Sequence, residues 1–300
     1  MEDRYDFPEN IVRVTAGAGS CESMLVFAKE STVLMETGMA YAHKELVANI
    51  KAALAERGRS GIDLITISHS HYDHIGGLPY VLDEWPEARV VASAKTKKVF
   101  QSEGARKTMK MLAQAAAENF GTAPEEFRAE DLRVDIVPGD NETIDLGAGE
   151  CIRVLETKGH TSCCLTYVFE PQKIMFSSES TGVMRKEGVL QAEIITSYND
   201  AVESAQKCMA YRPKVLITPH YGVMPQNEIL SFFIWFLIAA AKERDFVLES
   251  YEKTGSYDKT LEDFTGRYWN EEWANGQPIE AFMENARPTV RNLLKESGRI

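Results

Sequence analysis

The sequence predicts an α/β fold in which two sheets pack together under helices on both outer faces, with a helical extension at the C-terminus. Three observations carry this expectation. Two stretches of the chain repeat the order of short strands followed by a helix, polar loops rich in His, Gly and Asp sit at the carboxyl ends of strands, and the pattern is helical from about residue 227 onward. The 300 residues allow one large or two small domains, and the composition shift divides them into an α/β part over 1–226 and a helical cap over 227–300.

Taken in order, residues 11–15, 23–27 and 32–36 alternate as β-strands between turn residues and read as a meander. Residues 42–57 carry Leu46, Ile50, Ala53 and Leu54 at helical spacing and stop at Gly58. Residues 62–67 (IDLITI) form a continuous apolar strand that delivers the chain into Ser68-His69-Ser70-His71. A helix over 78–85, a strand over 89–92 and a helix over 102–120 follow. Strands are next expected at 132–137, 143–146, 152–157, 165–169 and 173–176, then a helix over 200–211 and a strand over 215–218. The helical tail has a polar break near 251–259.

The most apolar stretch, 229–241, is shorter than the roughly 20 residues that span a bilayer and lacks a Lys/Arg-rich face, so no membrane association is expected. It reads as a buried helix or as one that buries a homodimer interface. A formal net charge of -12 argues against nucleic acid, whose phosphates are neutralised by Lys and Arg. The basic runs at 95–98 and 106–110 lack interleaved aromatics and read as solvated helix faces. Five cysteines, an odd number without a CxxC, fit a reducing cytoplasm, and the acidic residues 1–6 do not read as a signal peptide.

Of six histidines, five lie at strand ends or in loops beside Gly, Asp or Thr. His69-Ser70-His71-Tyr72-Asp73-His74 offers four potential ligands in six residues, followed by Ile75-Gly76-Gly77. Imidazole and carboxylate are ligands for zinc, iron or manganese. In an extended segment His69 and His71 point to the same side, and Asp73 and His74 then face a second ion where the chain turns into a helix. Three later segments repeat the theme at strand ends: Lys158-Gly159-His160-Thr161, Ser178-Glu179-Ser180 and Pro219-His220-Tyr221. The sixth histidine, His43, reads as a capping or surface residue at a helix start, and the Cys163-Cys164 pair as partly buried. Residues 15–20 (TAGAGS) lack the GxGxxG order and form a turn, and neither a nucleophilic serine elbow nor a P-loop occurs.

This ordered set of His-x-His-x-Asp-His, Gly-His, an acidic residue and a last His resembles the signature of the metallo-β-lactamase superfamily, over roughly residues 10–225. The resemblance implies an αββα sandwich holding two divalent ions, zinc first, with iron or manganese as alternatives. It implies that His69, His71 and His160 bind one ion, and Asp73, His74 and His220 the other. An acidic bridging ligand is expected where Glu179 stands, although the usual residue there is Asp. Two adjacent ions acidify a shared water, so the implied activity is hydrolysis, with Asp73 orienting the water or shuttling its proton, and the acidic balance and aromatic helical tail point to a small, partly apolar ester, thioester or lactone as substrate. More loosely, the length and tail resemble the branch that includes the quinolone-signal response thioesterase, in which terminal helices cover the cleft. That likeness makes Phe232, Phe233, Trp235 and Phe236 candidate pocket lining, although an aromatic stripe at helical spacing is more often core. Two other classes stay open: a di-iron oxidoreductase, which normally needs a flavin domain that this length leaves no room for, and a regulatory binder whose metal site is structural.

Overall fold

The computed structural model describes residues 3–185, 188–269 and 279–300. Strands β1 (Ile11–Arg13), β2 (Met24–Phe27), β3 (Thr32–Met35), β4 (Leu64–Thr66) and β5 (Arg89–Val91) form the first sheet in sequence order. It begins as the expected antiparallel meander and becomes parallel from β3 to β5, because helix α1 (His43–Glu56) crosses over between β3 and β4. The second sheet contains β6 (Thr143–Gly147), β7 (Glu150–Glu156), β8 (Leu165–Glu170) and β9 (Ile174–Phe176). A small separate hairpin, β10 (Val183–Met184) with β11 (Leu190–Gln191), precedes β12 (Val215–Thr218) and β13 (Gly222–Val223), which complete the second sheet in the order β13-β12-β9-β8-β7-β6.

Period-two alternation sorts the side chains into layers. Met24, Val26, Val33, Met35 and Leu64 point inward and meet Val154, Tyr167, Phe169 and Phe176 of the second sheet. Leu25, Leu34 and Ile65 point outward and pack under α1, α3 (Leu78–Glu84) and α5 (Glu103–Asn119). Strands β3 and β4 are therefore buried on both faces, which explains their continuous apolar runs; each such side chain contributes about 1.5–3 kcal/mol of burial. On the far side, α6 (Tyr198–Tyr211) and α7 (Ile229–Thr254) cover the second sheet through Cys208, Phe232 and Phe233. The result is the expected αββα order.

The segment expected as a strand at 132–137 forms only a single parallel bridge, Val91 to Ile136. Its polar side chains intercept the ladder: Asp135 accepts from the Val90 amide at 2.9 Å, and Arg133 donates to the carbonyls of Pro86 and Ala88. Also unforeseen as separate elements are α4 (Ala94–Gln101), capped by Ser93, and the β10–β11 hairpin. The candidate lining aromatics are corrected too. Phe232, Phe233 and Phe236 are at most 1% exposed in the core, while Trp235 is 41% exposed on the opposite face. None of the four lines the central cavity.

Among the described residues the tail holds α7, α8 (Tyr257–Tyr268) and α9 (Ile279–Glu296), with the polar break at the left-handed Gly255. Among the described residues no helix is long and apolar enough to cross a membrane. Inside this layer Glu243 of α7 is only 7% exposed. Burial, and then the nearby carboxylate of Glu193, pushes its carboxyl up to about 8. A folded value above the ordinary 4.5 means that the contribution to stability is full below that pH and is lost as pH rises through about 8. Glu243→Gln is expected to flatten this slope, so its melting temperature should fall less between pH about 5 and about 8.5 than that of the unaltered protein. Equal slopes in the two would contradict the assignment.

Candidate metal centre

The loops that leave β4, β7, β9 and β12 meet at one end of the sandwich. β7 and β9 both run antiparallel to β8, and β9 runs parallel to β12, so three strands of the second sheet point the same way and end together. The loop after β4 is tied across to the second sheet by Leu165 N–H donating to Ser68 O at 2.8 Å. The short helix α2 (Tyr72–Ile75) then turns Asp73 and His74 into the same space. Gly76 and Gly77 permit this turn, because a Cβ on Gly76 would lie 2.3 Å from Ala40 N and one on Gly77 2.3 Å from Thr37 O.

All seven residues singled out in the sequence converge. One donor atom each from His69, His71, His160 and Glu179 lies within 4.8 Å of the others, and the same holds for Asp73, His74, Glu179 and His220. Glu179 is common to both groups. Its Oε2 is 2.7 Å from His160 Nε2, while its Oε1 is 2.8 Å from His220 Nε2 and 3.2 Å from His74 Nε2. Burial alone would raise this carboxyl; the charge of His160 and hydrogen bonds from His160, His220 and His74 outweigh it and hold Glu179 well below the usual carboxylate range.

The donor set fits divalent cations, and one observation points to them independently. His69 Nε2 is fully buried and has no hydrogen-bond partner among the described residues, while its other ring nitrogen is 3.0 Å from Ser68 Oγ. An orphaned imidazole nitrogen costs free energy unless something binds it. Burial, and then neighbouring imidazoles, keeps His69 well below its ordinary value and brings His71 down to about 4, the neutral form that ligates metal. Burial would lower His220 as well, but Asp73 and Glu179 raise it to about 9.

A second ring of contacts orients these groups. His160 Nδ1 donates to Glu193 O at 2.7 Å. His74 Nδ1 lies 3.4 Å from Glu36 Oε2, and Glu36 Oε1 accepts the Ser68 amide at 2.8 Å. Glu36, Glu193 and His220 are all non-glycine residues at positive φ, a strain of roughly 1–2 kcal/mol each that the surrounding bonds sustain.

The centre opens into a cavity of about 460 Å³. Its walls include Arg13, held by Glu22 at 2.5 Å, and Arg185, held by Glu193 at 3.2 Å. Ala281 and Asn285 bring α9 to the rim. His43 stays away, its ring stacked 3.6 Å from Tyr80. Sequence reasoning missed Glu36, Arg13, Glu22, Arg185 and Glu193. Only Glu36 carried a signal, as an acidic residue directly after the four buried residues of β3.

A family model described as the Metallo-beta-lactamase superfamily matches residues 16–220. The chain belongs to this superfamily. Within it, the chain is 26% identical over 186 residues to a UPF0173 metal-dependent hydrolase of Aeropyrum pernix, covering 60% of this chain and 74% of that one. It is 27% identical over 106 residues to a hydroxyacylglutathione hydrolase of Prochlorococcus marinus, covering 35% of this chain but only 30% of that relative. A metallo-beta-lactamase family protein from Thermus thermophilus shares the fold, with a TM-score of 0.68 at 15% identity over 97% of this chain and 95% of that one.

Proposed function

We propose that the protein is a metal-dependent hydrolase with a dinuclear centre, acting on a small ester, thioester or lactone. The observation that carries this reading is the Glu179 carboxylate, one oxygen turned to His160 and the other to His220 and His74, at the floor of an open cavity. His69, His71 and His160 would hold one ion and Asp73, His74 and His220 the other, with Glu179 between them. Zinc suits these imidazole and carboxylate donors. When bound, such ions would polarise a carbonyl and acidify a water.

The chain's own part is to position and to hold protons. Asp73 is the more open of the two central carboxylates, 15% exposed at its side chain against 8% for Glu179, and its Oδ2 lies 3.4 Å from His220 Nε2. Asp73 Oδ2 is therefore the atom we assign to orienting the attacking water and accepting its proton. Residues 1–226 form the catalytic part and 227–300 a cap, since α9 supplies Ala281 and Asn285 to the cavity wall. A thioester is favoured because a relative is named for hydroxyacylglutathione, in which the acyl group is carried on sulfur. Five free cysteines are in keeping with a reducing, cytoplasmic setting.

Exhaustive chelation is expected to lower turnover of a thioester and ester panel at least about a hundredfold, to leave the far-ultraviolet circular dichroism in place, and to be reversed by zinc. Unchanged turnover in protein shown by elemental analysis to be metal-free would overturn this reading.

A further inference from the structure

Beside the central cavity lies a smaller one, about 110 Å³, lined by the β11 segment and by residues of α7, α8 and α9. The two cavities share Glu193 and Asn285 in their walls, so the smaller, the annex, adjoins the larger. Its volume is somewhat below the ~150 Å³ of an apolar cavity that takes benzene, room for a group of about four or five heavy atoms. Three aromatic rings form one wall: Phe264 is 4.7 Å from Tyr268 and 6.1 Å from Phe282, centroid to centroid.

Glu243, only 7% exposed, lines this space together with Gln191, Glu193, Asn285 and Thr289, and its carboxyl has no hydrogen-bond or ion-pair partner among the described residues. Among those residues no Lys, Arg or His lines the annex. Of the cations on neighbouring segments, Arg185 pairs with Glu193, and Arg267 lies over the Phe246 and Tyr268 rings. The other titratable groups facing Glu243 are Glu193 and Tyr268, neither of which supplies positive charge. A buried carboxyl without a partner is costly, and a protein with no use for it would be more stable with an apolar residue there. An unpaired carboxyl beside aromatic faces is the arrangement that receives a small ammonium group, through ion pairing and the negative faces of the rings.

We propose that the annex is a subsite for a primary ammonium group of the substrate, with Glu243 as its counter-ion and Phe264, Tyr268 and Phe282 as its aromatic wall. The substrate class is then an ester or thioester whose acyl or alkyl part ends in an amine. That clause rests on the central cavity being the hydrolytic site, whereas the subsite itself does not.

Two measurements keep the readings apart. First, n-butylammonium and its neutral analogue 1-butanol are titrated calorimetrically into the metal-loaded protein, into Glu243→Gln and into Ala286→Met, which narrows the annex. The expected result is saturable binding of the amine, at least tenfold weaker in both variants, and no comparable binding of the alcohol. The proposal is overturned if the amine does not bind, if the alcohol binds as well, or if Glu243→Gln retains the affinity, which would put the amine on the metals or at the surface. Folding of each variant is verified by its melting curve, and Ala286→Met decides alone if Glu243→Gln does not fold. Second, kcat/KM for an aminoacyl thioester is compared with that of its N-acetyl counterpart, with the free amine expected to be favoured at least tenfold in the unaltered protein and not in Glu243→Gln. Glu243-dependent binding of n-butylammonium without hydrolysis of any thioester or ester would leave the subsite standing and remove the hydrolase reading; equal kcat/KM for both thioesters would remove the amine-substrate assignment.

Discussion

Glu179→Ala is expected to reduce bound metal from about two equivalents to about one and to lower kcat/KM by about a thousandfold, beyond the 10–100-fold typical of losing an outer contact. The reasoning is geometric. Glu179 is the single residue common to both donor groups, and its two oxygens face opposite ways, at 2.7 Å from His160 and 2.8 Å from His220. Removing the carboxylate also leaves imidazoles crowded together without the charge that offsets them; His71 and His160 already approach to 3.1 Å. Glu179→Asp restores the charge but withdraws it by one methylene, so it should recover one tight equivalent and only part of the activity. Elemental analysis alongside steady-state kinetics checks both variants. Two tight equivalents retained in Glu179→Ala would show that the carboxylate does not hold metal.

Gly76→Ala is expected to destabilise the protein by about 3 kcal/mol and to cost metal affinity as well. Gly76 has an ordinary helical φ of -62, so backbone strain is not the reason. The added carbon would sit 2.3 Å from Ala40 N, 2.8 Å from Met39 C and 2.9 Å from Gly38 O, all backbone atoms that cannot rotate aside. Relief requires moving α2, and α2 carries Asp73 and His74. Chemical denaturation and zinc titration of the variant should thus report losses together; stability within about 0.5 kcal/mol of the unaltered protein would mean that the close packing of α2 on residues 38–40 is not maintained in solution.

Much of this was legible because the determining signals are local. The IDLITI run and the histidines after it are a strand and its carboxyl-end loop, adjacent in sequence, and β12 falls at the expected 215–218. Other features depend on pairing across long distances. Residues 132–137 are apolar enough for a strand, yet Asp135 and Arg133 take up the edge groups of the 86–90 segment with their side chains. The aromatic stripe of α7 is equally consistent with core and with pocket until its neighbours are known, and the neighbours proved to be Met175, Leu216 and Met224 of the second layer. Arg13 with Glu22 and Arg185 with Glu193 are close in sequence, but nothing in the spacing says that both pairs flank one cavity.

In the proposed assignment each ion draws ligands from both sides of the sandwich: His69, His71, Asp73 and His74 follow β4 of the first sheet, whereas His160, Glu179 and His220 follow strands of the second. Metal loading would therefore be thermodynamically linked to the docking of one sheet on the other. Saturation at a thousand times the dissociation constant adds about 4 kcal/mol to such a state, and that increment would bear on every opening that parts the sheets. Fraying of α8 and α9 leaves the ligands in place and would not feel it. Amide exchange should thus divide the molecule into two cooperative units, with protection at Ile65 and Ile217 rising steeply with zinc while that at Leu261 and Leu293 stays level.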